Sequence, residues 1–178
     1  MRIGIDISQL AYPGTGVANY LQNLVQNLLE MDKSNEYILF YTSFRKQFPI
    51  SNFQFLNNNP RVKVKKFRIP PTALDILWNK LHIVPIENLI GPVDLFITSD
   101  WTEPPVKNAK KATILYDLIV YKYPKETARK IIEVQKRKLT WAKKESSMFF
   151  CISKATKNDA EQILGINKER LSIAYPGF

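Results

Sequence analysis

The apolar positions of the chain recur with two periods, and the two alternate along its length. Arg2–Asp6 reads Arg-Ile-Gly-Ile-Asp, an alternation that predicts a strand. The segment Ile7 to Gly14 holds Pro13 and Gly14 and reads as a loop. Helical spacing follows: Val17, Tyr20, Leu21, Leu24, Val25, Leu28 and Leu29 make one apolar stripe, with Thr15 placed to cap it and Asp32-Lys33-Ser34-Asn35 to end it. Tyr37–Tyr41 is a continuous apolar run, the pattern of a strand covered on both faces.

Downstream, an Asn- and Phe-rich stretch from Phe44 to Pro60 reads as irregular, and Val62–Phe67 as a short alternating strand. Pro70-Pro71 punctuates, with Thr72 placed to cap a short helix from Ala73 to Leu81; Pro85 opens a further helical turn ending at Gly91-Pro92. Strands are predicted at Asp94–Thr98, Lys111–Leu115, Met148–Ile152 and Leu171–Tyr175. A long helix is predicted from Lys125 to Lys144, with Ala128, Ile131, Ile132, Leu139 and Ala142 on one side. A second runs from Lys154 to Leu164, capped by Ser153 and stopped by Gly165. Buried-looking strands alternating with helices predict an α/β fold: a doubly wound, mostly parallel sheet in one domain spanning 1–178.

Composition narrows the class. The chain has 178 residues, 45% apolar and 24% charged, enough for one substantial core and too apolar for disorder. Cys151, the only cysteine, excludes an internal disulfide. Charge interrupts every apolar run before the roughly 20 residues of a membrane span, and no leader pattern precedes the first strand, so a cytoplasmic location is expected. The formal charge is +10, from 26 Lys and Arg against 16 Asp and Glu. Lys122, Lys125, Arg129, Lys130, Lys136, Arg137, Lys138, Lys143 and Lys144 cluster in one stretch, opposed there only by Glu126 and Glu133. Such a stretch is either a solvated helix face or a surface for anionic partners: nucleotides, nucleic acid or lipid headgroups.

In open α/β sheets ligands bind beyond the carboxyl ends of the strands. That rule brings four segments to one rim: the loop 7–16, Ser99 to Glu103, Tyr116-Asp117 and Ile152-Ser153. Gly14-Thr15-Gly16 precedes a helix whose terminal amides could hold a phosphate, or is an ordinary capped turn. Asp100 and Asp117 follow neighbouring strands, where a carboxylate serves as a base or hydroxyl acceptor, or merely caps the next turn. Trp101 beside Asp100 suits a sugar, the ring offering an apolar platform. Asp6 reads as a cap on the first loop. His82 is isolated and reads as structural, with no cluster to make a metal site, and Cys151 reads as inert core.

Two nucleotide motifs are excluded. The glycines follow a long loop, Asn19 stands where a third glycine is required, and the second strand ends Phe40-Tyr41-Thr42-Ser43 without a ribose-binding acid. A phosphate-binding P-loop also fails, since no Lys-Ser or Lys-Thr follows the glycines.

Together these segments resemble the amino-terminal domain of glycosyltransferase family 4, the retaining enzymes of GT-B fold. The resemblance rests on Arg-Ile-Gly-Ile-Asp with Gly14-Thr15-Gly16-Val17-Ala18-Asn19-Tyr20, on Asp94–Ser99, and on Tyr116-Asp117-Leu118-Ile119 followed by Tyr123-Pro124-Lys125-Glu126. It continues in Cys151–Asp159 and in Ile173-Ala174-Tyr175-Pro176-Gly177-Phe178. It implies a Rossmann-like, acceptor-side domain facing a second domain that grips a nucleotide-sugar. The family's donor-binding Glu-x7-Glu segment is absent from these residues, so the resemblance implies a chain inactive alone. It assigns catalytic positions to Asp117 and Tyr116 and substrate-binding positions to Gly14, Thr15, Gly16, Asp100, Trp101 and Ser153. Tyr116 departs from the family, which usually has His there.

The implied activity is retaining hexosyl transfer from a nucleotide-sugar donor to a glycan or lipid-linked acceptor. It requires no metal or other cofactor, and the leaving phosphate helps to deprotonate the acceptor. An anionic membrane surface is an expected further partner through the basic stretch, placing the protein peripherally at the inner membrane face; nucleic acid is not expected. Two alternatives stand beside this: a non-catalytic Rossmann-like module whose basic surface binds nucleic acid or protein, and a stand-alone enzyme acting through Asp100 or Asp117.

Overall fold

Alternating segments and continuous apolar runs became strands, and segments of helical period became helices, as the side-chain geometry of each requires. The computed structural model describes residues 1–48 and 59–177. Its strands are β1 (Arg2–Asp6), β2 (Glu36–Thr42), β3 (Val62–Phe67), β4 (Leu95–Thr98), β5 (Lys110–Leu115), β6 (Met148–Cys151) and β7 (Leu171–Ile173). They form one sheet in the order β3-β2-β1-β4-β5-β6-β7, and every pairing is parallel. The expected mostly parallel sheet is therefore wholly so, with Rossmann-like crossovers. Its helices are α1 (Gly16–Met31), α2 (Pro71–Leu74), α3 (Glu87–Ile90), α4 (Ile119–Lys122), α5 (Arg129–Glu145) and α6 (Lys154–Leu164).

The register sorts each strand's residues between two faces. On one face Ile5, Leu39, Tyr41, Ile97 and Ile114 pack under α1, which buries Ala18, Tyr20, Leu21, Val25 and Leu29. On the other face Ile38, Phe40 and Phe96 meet Leu74, Trp78, Ile86 and Ile90, while Leu115, Phe149 and Cys151 meet α5 and α6. Gly4 lies at the centre of that second face, where a Cβ would come within 2.6 Å of the Phe96 ring. Only glycine lets strand and ring approach so closely. β3, the outer strand, turns Lys63 and Lys65 to solvent, and charge on an exposed edge discourages pairing with another chain.

Several boundaries differ from expectation. Thr15 caps α1 as read, its hydroxyl accepting from the Ala18 amide at 3.2 Å. Ser153 caps α6, and Gly165 ends it with φ +62°. Thr72, by contrast, caps nothing: Pro70 occupies the cap and Pro71 the first turn, where a missing N–H costs nothing. The helix expected from Ala73 to Leu81 is α2 running into a π-helical turn, Asp75–Lys80. The loop 7–14 contains a 3-10 turn, Ser8–Ala11.

The predicted Lys125–Lys144 helix is a single helix, α5, that starts four residues later than expected. α4 is a separate short turn ahead of it, whose Ile119 amide donates to Asp117, and α5 starts only at Arg129, after Thr127 has turned its hydroxyl back to the Tyr123 carbonyl. Leu139 and Ala142 are buried as expected, but Ala128 is the exposed cap of α5 and Ile131 is 39% exposed, and Val134 and Lys138 are buried in their place. Most of the irregular stretch read from Phe44 to Pro60, together with Phe178, lies outside the described residues.

Candidate functional site

β1 and β4 lie side by side, yet the chain leaves β1 for β2 on one flank and β4 for β5 on the other. That divergence is the switch point at which open parallel sheets leave a crevice. One of about 310 Å³ opens there. Asp6 and Ser8, at the end of β1, line it together with Thr42, Leu74, Trp101 and Val134; the exposed Lys130 and Ile131 of α5 complete it. The π-helical turn matters to its shape. Asn79, on that turn, donates from Nδ2 to the Trp101 carbonyl at 2.9 Å and accepts from the Glu103 amide at 3.0 Å, which pins the segment carrying the indole.

Asp6 is 4% exposed. Its Oδ1 accepts from the Ser8 amide at 2.9 Å and the Ser8 hydroxyl at 2.6 Å, and the Ser8 hydroxyl in turn accepts from the Thr42 amide at 3.1 Å. Burial pushes the Asp6 carboxyl up to about 6, against the two Ser8 hydrogen bonds and the Lys138 charge that lower it and alongside the Glu103 charge that raises it.

A buried ionic seam underlies this end of the sheet. Glu103, fully buried, has Lys111 Nζ at 3.3 Å and Lys138 Nζ at 4.0 Å, and accepts from the hydroxyls of Thr98 at 2.8 Å and Thr113 at 3.3 Å. Lys138 also donates to the Ser99 carbonyl at 2.6 Å, and Lys111 to the Pro104 carbonyl at 2.8 Å and to Glu145 at 2.6 Å. Burial lowers Lys138, opposed by Glu103, Asp100 and Asp6. The sequence signalled none of this: both lysines sit where a reading by charge alone puts solvent.

The residues expected at the site fall into three places. Trp101 lines the crevice. Asp100 lies beside it, its Oδ1 accepting from Gln135 at 3.2 Å; burial raises its carboxyl, while Lys138 and Gln135 oppose the rise. Tyr116 is buried, with its ring edge-on to Tyr20 at 5.5 Å and its hydroxyl 3.1 Å from that of Ser99, and burial pushes its phenol up. Asp117 is exposed and accepts from the Ile119 amide at 3.0 Å. Gly14, Thr15 and Gly16 are exposed at the α1 terminus, and Ser153 sits at that of α6, where its partner Thr156 donates to the Tyr116 carbonyl at 3.0 Å. None of the residues in these last two places lines the crevice.

The other side chains singled out are structural. His82 places both ring nitrogens against acceptors, the Trp78 carbonyl at 2.9 Å and Glu145 at 2.7 Å, and stacks on Trp141 at 3.6 Å. Cys151 is buried, and burial pushes its thiol up to about 11. The basic stretch is partly neutralised: Lys138 is buried, while Lys122, Arg129 and Arg137 pair with Asp159, Glu133 and Asp75. Among the described residues no three His, Cys, Asp or Glu side chains are grouped as a metal site would need.

No protein-family model and no curated protein matches the chain. Solved structures do. UDP-GlcNAc 2-epimerase from Methanocaldococcus jannaschii matches over 97% of this chain and 45% of its own, at 10% identity and a TM-score of 0.50. HepE from Anabaena, solved in complex with UDP, matches over 99% of this chain and 44% of its own, at 14% identity and a TM-score of 0.50. A short-chain dehydrogenase/reductase from Veillonella parvula in complex with NADP matches over 84% of this chain and 67% of its own, at 9% identity and a TM-score of 0.47. At these identities the likeness is one of fold, and the chain spans less than half the length of the epimerase and of HepE.

Proposed function

We propose that this chain is the acceptor-side half of a glycosyltransferase that uses a nucleotide-sugar donor, and that the crevice between β1 and β4 seats the acceptor. The observation that carries the reading is the crevice itself: it lies at the switch point, beyond the carboxyl ends of the strands, and joins an indole to a buried carboxylate. A sugar ring needs both an apolar platform and a hydrogen-bond acceptor. The fold supports it, because nearly the whole chain matches less than half of an epimerase named for UDP-GlcNAc and of a protein solved with UDP.

On this reading the crevice holds an acceptor alcohol in line with the donor, and the gain is one of orientation. The donor's sugar–phosphate bond breaks as the new glycosidic bond forms, and the nucleoside diphosphate leaves with the bonding electrons. We assign the turn at Gly14, Thr15 and Gly16 to the diphosphate, because α1 is long enough for its amides to favour an anion. Asp100 acts through Trp101, which it adjoins. Asp117, Tyr116 and Ser153 belong to the same rim, with Asp117 the one carboxylate among them open to a donor sugar. Retention of configuration, a hexosyl donor and freedom from metal are part of the proposal.

The test is binding of methyl hexopyranosides, followed by ligand-observed NMR. We expect Trp101→Ala to weaken binding about fivefold to tenfold, the scale of one aromatic stacking contact. Glycosides that bind equally well without the indole would remove the crevice from the reading.

We also propose a lipid-linked acceptor and an anionic membrane surface as partner, with the peripheral location that follows. The surface is narrower than the sequence implied: among the described residues, the cations of this stretch with no carboxylate partner are Lys125, Lys130, Lys136, Lys143 and Lys144, and Lys136 and Lys144 lie over the rings of Tyr121 and Trp141. Co-sedimentation with vesicles containing phosphatidylserine should exceed that with neutral vesicles and fall in high salt. Equal co-sedimentation with both would sink this extension.

A further inference from the structure

Asp6 does more than its cap requires. Ser8 occupies Oδ1 alone. Among the described residues Oδ2 takes no hydrogen bond, and it is not one of the enclosed orphan atoms, which are Glu87 Oε2 and Arg137 Nε. Asp6 is only 4% exposed and lines the crevice, so this unpaired oxygen stands within reach of whatever occupies it.

The cap itself does not need the charge. An asparagine could present its carbonyl oxygen to both Ser8 donors and avoid desolvating an anion. The fold instead keeps a carboxylate whose burial is unfavourable. Local features that disfavour stability without improving packing are typical of places where a ligand completes the arrangement.

We infer that Asp6 Oδ2 is the hydrogen-bond acceptor for a hydroxyl of the molecule in the crevice, and so fixes which face of a polyol ring lies against Trp101. This rests on the acceptor-side reading and deepens it: the ligand is a hydroxylated ring with one apolar face, bound through a donor hydroxyl at the floor. Charged acceptors make stronger hydrogen bonds than neutral ones, and a buried acceptor left unpaired disfavours any ligand lacking that hydroxyl. The groups around Asp6 are Ser8, Lys138 from α5 and Glu103 after β4, of which Lys138 favours the ionised form.

The test uses methyl hexopyranosides and their monodeoxy series, titrated against the wild-type chain, Asp6→Asn and Trp101→Ala. In Asp6→Asn the Ser8 bonds can persist while the group facing the crevice changes from acceptor to donor. We expect the parent glycoside to bind about tenfold or more weaker to Asp6→Asn. One monodeoxy position should weaken binding to wild type by a similar factor and leave binding to Asp6→Asn unchanged, a coupling that loss of structure would not produce. Equal affinity of Asp6→Asn and wild type, with Trp101→Ala still impaired, would overturn the role of Asp6 and leave the acceptor reading intact. Binding insensitive to both substitutions, or no binding of any glycoside, would overturn the acceptor reading itself. Should Asp6→Asn fail to fold, the side-chain carboxyl ¹³C resonance of Asp6 in the wild type decides: a shift on adding glycoside supports the contact, and an unmoved resonance overturns it.

Discussion

Replacing Glu103 with glutamine should lower the unfolding free energy by about 3–5 kcal/mol, the cost of leaving buried charge without its counterion. Glutamine keeps the shape and can still accept from Thr98 and Thr113. It cannot neutralise Lys111 and Lys138, whose ammonium groups are enclosed within 4.0 Å of the present carboxylate. Lys111 retains Glu145, but among the described residues Lys138 retains only the Ser99 carbonyl as a close partner, so the loss should fall chiefly on the contact between α5 and the sheet. Urea denaturation of the variant measures it. Adding Lys138→Met should recover part of the loss, because an apolar side chain of similar length needs no counterion. A single-variant loss below about 1 kcal/mol would mean that water reaches the seam.

The second large effect is one of pH, at Asp6. Its carboxyl is pushed up to about 6 in the folded chain from the ordinary 3.8. The folded state therefore holds its proton more tightly than the unfolded state does. Between about pH 4 and pH 6 the folded form binds more protons, so this group's contribution to stability is full at the acid end and falls as pH rises, then levels off. Asp6→Asn has no such proton to lose. The two proteins should be equally stable near pH 3.5, and the variant more stable at pH 7 by about 3 kcal/mol. Urea midpoints across that range give the difference directly, since every other carboxylate is common to both. A constant gap at all pH values would show that Asp6 does not titrate in this window.

Much of the architecture could be read from residues alone. The α1 stripe from Val17 to Leu29, the run Tyr37–Tyr41 and the Ser153–Gly165 helix each carry a local period, and local period is what hydrophobic burial writes into a sequence. The crevice left weaker traces. Its lining comes from β1, β2, α2, the segment after β4 and α5, and only the strand order makes these neighbours. Trp101 was found because it follows a strand; Leu74, Thr42 and Val134 carry nothing to mark them. Asp6 was legible as a cap, but the open second oxygen is a property of the packed crevice. Lys111 and Lys138 were illegible because their counterion, Glu103, lies in an aperiodic segment. Long cationic side chains otherwise signal solvent.

The sheet order has a consequence for how the chain is made. β1 lies inside the sheet, and its partner on the β4 side is made 92 residues later, with Ile3 beside Leu95. At about 5–20 residues per second, that flank of the nascent strand waits roughly 5 to 18 s for its complement. For that interval the unpaired amides of Arg2 to Asp6 form a sticky margin, and a chaperone that shields the segment from β1 to β4 as it emerges would raise the yield more than one acting on the finished chain.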